Sequence, residues 1–146
     1  MTLVDTTVWI DFFRGRDTSE VRELERLMVA GDDICLCGVI LTEVLQGIRE
    51  AKAYDKTLAI FDSFQFLPMT RKIFIGGARI YREARSKGLT IRNAVDCMIA
   101  AVAIEHGIPL LHNDRDFDAI ASLGELKTVR TSGTIKSRAA RKPDSD

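Results

Sequence analysis

The chain has 146 residues, of which 46% are hydrophobic and only three are proline, enough apolar material for one compact domain with its own core and no requirement for a second. No apolar run approaches the roughly 18–20 residues of a membrane span, and the opening MTLVDTTVWI lacks the basic start and small-residue cleavage site of a signal peptide; a cytoplasmic protein with no membrane partner is expected. Twenty-one basic residues balance 21 acidic ones, which excludes a uniformly basic nucleic-acid binder but not a locally basic one, because the charges are unevenly placed.

TLVD is a short β-capable run ending in the carboxylate of Asp5, and TTVWIDFFRG follows with threonines suited to capping a helix that stops near Gly15. DTSEVRELERLMVAGDD opens with Asp17 and Glu20 in capping-box spacing and carries Val21, Leu24, Leu27 and Met28 at helical intervals before Gly31. Over residues 17–33 six acids oppose two arginines, a net charge of −4. ICLC reads as a buried strand, and its Cys35 and Cys37, with Cys97 far away, are too few and scattered for a zinc site or a disulfide framework; buried free thiols are expected. VILTEVLQGIRE reads as a largely buried helix in which Glu43 is an isolated charge among Ile40, Leu41, Val44 and Leu45.

AKAYDKTLAIFDSF gives another helix and QFLPM a short extended piece. TRKIFIGGARIYREARSKG gives a basic helix ending at Gly88, in which Gly76 and Gly77 each cost roughly 1 kcal/mol relative to alanine and so imply a kink or a close packing contact. Over residues 71–92 seven cations oppose Glu83, a net charge of +6, which fits either a solvated helix face or a stretch that tracks a phosphate backbone. RNAVDCMIAAVAIEHG is an alanine-rich buried helix closed by Gly107, IPLLH a strand, DRDFDAIASLG a helix and LKTVR a last strand. The polar stretch after Arg130 predicts a flexible C-terminal tail over 131–146, leaving 1–130 as the domain. Strands alternating with helices predict an α/β fold, a three-layer α/β/α sandwich with a mostly parallel central sheet.

In such folds ligands bind outside the carboxyl ends of the strands, and the acids collect there. Asp5 ends the first strand, Asp114 follows the strand ending near His112, and Glu43 lies early in the helix after ICLC. Asp96 interrupts an otherwise apolar helix near its start. Each has an ordinary alternative: Asp5, Asp114 or Asp116 as a helix cap, Asp96 as a charge favoured by a helix N-terminus. If four carboxylates converged at ~7 Å with an effective dielectric of ~20, each pair would repel by ~2.4 kcal/mol before screening, so the cluster would need protons or cations. Mg²⁺ or Mn²⁺ suits oxygen donors, and no histidine or cysteine set competes for a softer ion. His106, at a helix C-terminus, is suited to bonding terminal carbonyls, and neither it nor His112 has a nucleophile to serve; no phosphate-binding glycine loop is present.

LVDTTVWIDFFRG, LTEVLQG, AVDCMIAAVAIEHG and LLHNDRDFDAI, in this order across residues 3–120, resemble the PIN-domain ribonucleases, specifically the VapC-type toxins of bacterial toxin-antitoxin pairs. The resemblance implies a PIN-like nuclease domain over 1–130 in which Asp5, Glu43, Asp96 and Asp114 form the catalytic, metal-holding cluster, with Asp116 as an additional carboxylate and Thr6 and Thr7 in support. His112 stands where members typically carry Thr or Ser, a departure that leaves the acids intact. It further implies Mg²⁺- or Mn²⁺-dependent hydrolysis of RNA phosphodiesters, a cognate VapB-type antitoxin and a toxin homodimer. Arg79, Arg82, Arg85 and Arg92 are the candidate phosphate contacts; Trp9, Phe12 and Phe13 are candidate apolar contacts for the antitoxin, with the ordinary alternative that most of them lie in the core. Two alternatives compete: a PIN-like module that binds RNA or antitoxin without cutting, and a haloacid-dehalogenase-like phosphatase. The phosphatase needs an aspartate two residues after Asp5, where Thr7 stands.

The substrate implied is a structured loop of transfer RNA or ribosomal RNA, since specific RNA recognition reads unpaired bases and overall shape. Products with 5′-phosphate and 3′-hydroxyl ends are implied with it.

Overall fold

The computed structural model describes residues 1–131, so the tail expected over 131–146 lies, apart from Thr131, outside the described residues. In chain order the elements are β1 (Thr2–Val4), α1 (Thr6–Phe13), α2 (Ser19–Ala30), β2 (Ile34–Cys37), α3 (Gly38–Gln46), α4 (Ala51–Phe61), β3 (Gln65–Leu67), α5 (Arg71–Ser86), α6 (Ala94–His106), β4 (Leu110–Leu111) and α7 (Arg115–Ala121). All strand pairings are parallel and the sheet order is β3-β2-β1-β4. Every residue of β1, β2 and β4 is buried. Because successive side chains point to opposite faces, burial of all of them means that both faces are covered, and the expected α/β/α sandwich is what forms.

The strand order creates the feature that matters for function. The chain runs outward from β1 through β2 to β3, then returns to place β4 on the other side of β1, so the direction of winding reverses between β1 and β4. A crevice opens at such a switch point, outside the carboxyl ends of the two strands. Here the Asp5 N–H donates to the Leu111 carbonyl at 2.9 Å, tying the two strand ends together at its floor.

Local chemistry explains the helices that frame this crevice. The Asp5 carboxylate caps α1 by accepting from Thr7 N–H, and Asp114 caps α7 by accepting from Asp116 N–H. Asn93 caps α6, which ends at Gly107 with a left-handed φ of 63° that a residue with a Cβ would resist. The Gly76–Gly77 pair gives a close contact within one continuous helix: a Cβ on Gly77 would lie 3.2 Å from the backbone of Met98, so α5 approaches α6 through the missing side chain.

Several local expectations shift. The cap of α2 is Thr18, whose hydroxyl accepts from Val21 N–H at 3.0 Å, while Asp17 pairs with Arg22 instead. The expected last strand contributes only a parallel bridge between Thr128 and Leu110. In α3 only Ile40 and Val44 are buried, fewer than its apolar sequence suggests. Trp9 is fully buried, its indole N–H donating to the Val4 carbonyl at 3.1 Å, so it belongs to the core and offers no partner surface; Phe13 keeps 37% exposure. No helix among the described residues is long and apolar enough to cross a membrane.

Candidate metal centre

Four elements deliver acids to the β1/β4 crevice. Asp5 leaves the end of β1, Glu43 comes from α3 after β2, Asp96 from the first turn of α6, and Asp114 and Asp116 from the start of α7 after β4. One carboxylate oxygen from each of Asp96, Asp114 and Asp116 lies within 4.8 Å of the others. Asp116, expected only as an additional acid, thus stands in the tightest group. Asp5 and Glu43 sit close enough to act on that group through their charge.

The field is visible in the protonation behaviour. Burial pushes the Asp5 carboxyl from 3.8 up to about 6, against hydrogen bonds from Thr7 and Thr6 that stabilise its anion. Asp96 rises further, to about 7, first through burial and then through the negative charges of Asp5, Asp114, Asp116 and Glu43. Carboxylates so displaced are a mark of a functional site, because an ordinary ion-pair network would lower them.

The surrounding donors hold some acids and leave others open. Thr7 Oγ1 donates to Asp5 Oδ2 at 2.7 Å and accepts from Asn113 N–H at 3.1 Å, so one hydroxyl links the mouths of β1 and β4. Thr6 Oγ1 donates to Glu43 Oε1 at 2.9 Å. The Arg92 guanidinium donates through Nη2 to Asp114 Oδ1 at 3.0 Å and through Nε to both oxygens of Asp116 at 3.3–3.4 Å. Among the described residues, no donor bonds the buried Asp96 carboxylate.

This donor set fits a hard divalent cation. Oxygens alone converge among the described residues, and the Cys37 thiol is pushed up first by burial and then by the charges of Asp5 and Glu43, which makes it a poor ligand. Cys97, beside Asp96 in sequence, has its thiol pushed up to about 11 in the same way. His112 is no ligand here: its Nδ1 accepts the Asp114 N–H at 3.2 Å, its ring lies 5.2 Å from that of Phe117, and burial lowers its pKa. It shapes the turn that presents Asp114. Asp118 is largely exposed, with an oxygen 3.7 Å from His112 Nε2.

The remaining candidates lie on α5. Arg79 and Arg82 line an open groove with Ile75, Ala78, Glu83 and Ser86, and the Arg85 guanidinium lies 5.8 Å from the centre of the Tyr81 ring. Sequence reasoning named Arg92 for phosphate but missed its bonds to Asp114 and Asp116; the only available signal was a cation four residues before Asp96. It also missed the Thr7 bridge to Asn113, which joins residues 106 positions apart.

A parallel α/β/α sheet with carboxylates clustered at its switch point defines an α/β protein whose acidic cluster fits a metal ion. The chain belongs to the PIN-domain family, which it matches over residues 2–123. It is similar to ribonuclease VapC11 of Mycobacterium tuberculosis and to the VapC ribonuclease Mb1587 of Mycobacterium bovis, in each case 35% identical over 131 residues, covering 88% of this chain and 98% of the relative. In structure it is similar to VapBC2 from Rickettsia felis, solved bound to a DNA fragment from its promoter, with a TM-score of 0.72 at 22% identity over 90% of this chain and 98% of that one. The family leaves the phosphatase alternative without support.

Proposed function

We propose that the chain is a VapC-type toxin, a metal-dependent endoribonuclease that uses Mg²⁺ or Mn²⁺ and is held inactive by a VapB-type antitoxin. The observation that carries this reading is the convergence of Asp96, Asp114 and Asp116 within 4.8 Å at the β1/β4 crevice, in the field of Asp5 and Glu43. The likeness to proteins named as VapC ribonucleases supplies the substrate class.

In this reading Asp5, Glu43, Asp96 and Asp114 are the catalytic acids and hold the cation together with Asp116. A bound divalent cation supplies Lewis acidity at the scissile phosphate, lowering the pKa of water and offsetting charge on the phosphoryl oxygens. The protein's share is positional. Thr7 fixes one Asp5 oxygen and Thr6 one Glu43 oxygen, so neither acid must be reoriented when substrate arrives. Asp96, whose carboxyl is pushed up to about 7 by burial and by the neighbouring negative charges, holds its proton more readily than an ordinary carboxylate, and a cation held there would favour its ionised form. Exposed Arg79, Arg82 and Arg85 offer cations along one helix for the phosphates flanking the cut.

The test is to express the chain without antitoxin and map new 5′-phosphate ends across cellular RNA. Discrete cuts in a structured tRNA or rRNA loop are expected, absent with Asp96→Asn and suppressed by the cognate antitoxin. Growth inhibition with no new RNA ends, equal in the Asp96→Asn protein, would replace the nuclease with a non-cutting module that acts by binding.

A further inference from the structure

We propose that Arg92 is a built-in counter-cation of this centre, occupying Asp114 and Asp116 in the cation-free protein and competing with the divalent ion for the same carboxylates. The inference rests on the reading that these acids bind a metal.

The geometry separates two functions within one residue. The Arg92 backbone N–H donates to Asp116 Oδ2 at 3.2 Å, which positions that carboxylate from the loop before α6. The side chain does something different. Its Nη2 takes Asp114 Oδ1, which already accepts the Asp116 N–H at 2.9 Å, and its Nε addresses both Asp116 oxygens. Two of the three acids in the tight group are therefore neutralised from within the chain, while Asp96 has no such donor.

An ion coordinated by Asp114 and Asp116 must share or displace these guanidinium bonds, and it also meets a positive charge beside it. Both effects weaken its binding. The Arg92 side chain is 59% exposed, so it can leave the carboxylates without opening the core, and once displaced it stands at the rim of the crevice. Glu43 and Asp5 are held by threonine hydroxyls, neutral donors that do not compete as a charge does. Arg92 is thus a positioning residue that sets the cation affinity of the centre, and its effect runs opposite to that expected of a residue that merely supports a ligand.

The test is calorimetric titration of antitoxin-free protein with Mn²⁺ at neutral pH, using the native chain, Arg92→Gln, Arg92→Lys and Asp96→Asn. Every variant at position 92 keeps the backbone N–H that orients Asp116. Arg92→Gln should bind Mn²⁺ roughly three- to tenfold more tightly than the native chain, the size appropriate to partly exposed ion pairs, with Arg92→Lys in between. Arg92→Gln binding equal to or weaker than native, with native binding intact, overturns the counter-cation and leaves the metal centre standing. Failure of both the native and the Arg92→Gln proteins to bind, or Asp96→Asn binding as native, overturns the metal centre and this inference with it. If Arg92→Gln does not fold, the Nε–H resonance of Arg92 in the native protein decides: Mg²⁺ at saturation should shift it and speed its exchange with water, and an unchanged resonance contradicts the proposal.

Discussion

Asp114, Asp116 and Asp118 occupy alternate positions of one short segment, yet the structure gives them different environments. Asp114 caps α7, Asp116 is buried against Arg92, and Asp118 faces solvent. Helix periodicity permits that separation, but nothing in the sequence ranks Asp116 beside Asp96, because the ranking depends on how the loop before α6 meets the start of α7. Capping does not take Asp5 or Asp114 away from the crevice, since each accepts a helix N–H with one carboxylate oxygen at the end of its strand. The raised pKa values of Asp5 and Asp96 have a consequence for stability. Both are higher in the folded chain than the ordinary 3.8, so the fold retains protons that the unfolded chain releases. Their stabilising contribution is complete below about pH 4 and is lost as pH rises through about 6 and 7. His112, its pKa lowered by burial, acts in the opposite direction but is one group against two, so cation-free protein should melt higher at pH 5 than at pH 8, by roughly a few °C, and Mg²⁺ should restore stability more at pH 8 than at pH 5. Differential scanning calorimetry reads both effects, and Asp96→Asn should flatten the first; a native protein more stable at pH 8 would contradict this electrostatic picture.

The helices were legible wherever their signals were strong and local. Gly31 and Gly107 end α2 and α6 with left-handed φ values of 70° and 63°, as their positions after apolar repeats suggest. Capping was harder to place: Asp17 and Thr18 are adjacent competent caps, and the hydroxyl one position later won because the helix begins at Ser19. The short final strand was over-read because β propensity in LKTVR cannot show that only Thr128 reaches a pairing partner. Gly76 and Gly77 look alike in sequence but not in packing. A methyl group on Gly76 meets Ala101 Cβ at 3.5 Å, an ordinary contact, whereas one on Gly77 meets Met98 backbone at 3.2 Å. Gly76→Ala should raise stability by up to ~1 kcal/mol through helix propensity, while Gly77→Ala should lower it by about 1–3 kcal/mol by forcing α5 away from α6. Thermal or urea unfolding of the two variants checks the difference in sign.

At the scale of the molecule, alternating strands and helices were enough to predict a parallel α/β/α sandwich, and the rule that ligands bind at strand carboxyl ends was enough to collect the acids at one edge. The order β3-β2-β1-β4 was not legible, since strand adjacency is fixed by long-range packing, and with it the crevice between β1 and β4 was hidden. That topology is why Asp5 and Asp114, over a hundred positions apart, share one site. The central claim is that this shared site cuts RNA only when a divalent cation occupies it. The direct measurement is cleavage of total RNA by antitoxin-free protein, first stripped of metal with EDTA and then supplied with Mg²⁺ or Mn²⁺ in steps. No cleavage in EDTA, saturable recovery on adding either ion, and none at any concentration with Asp96→Asn are the predicted results. Cleavage that persists in EDTA, or that survives Asp96→Asn, would contradict the account.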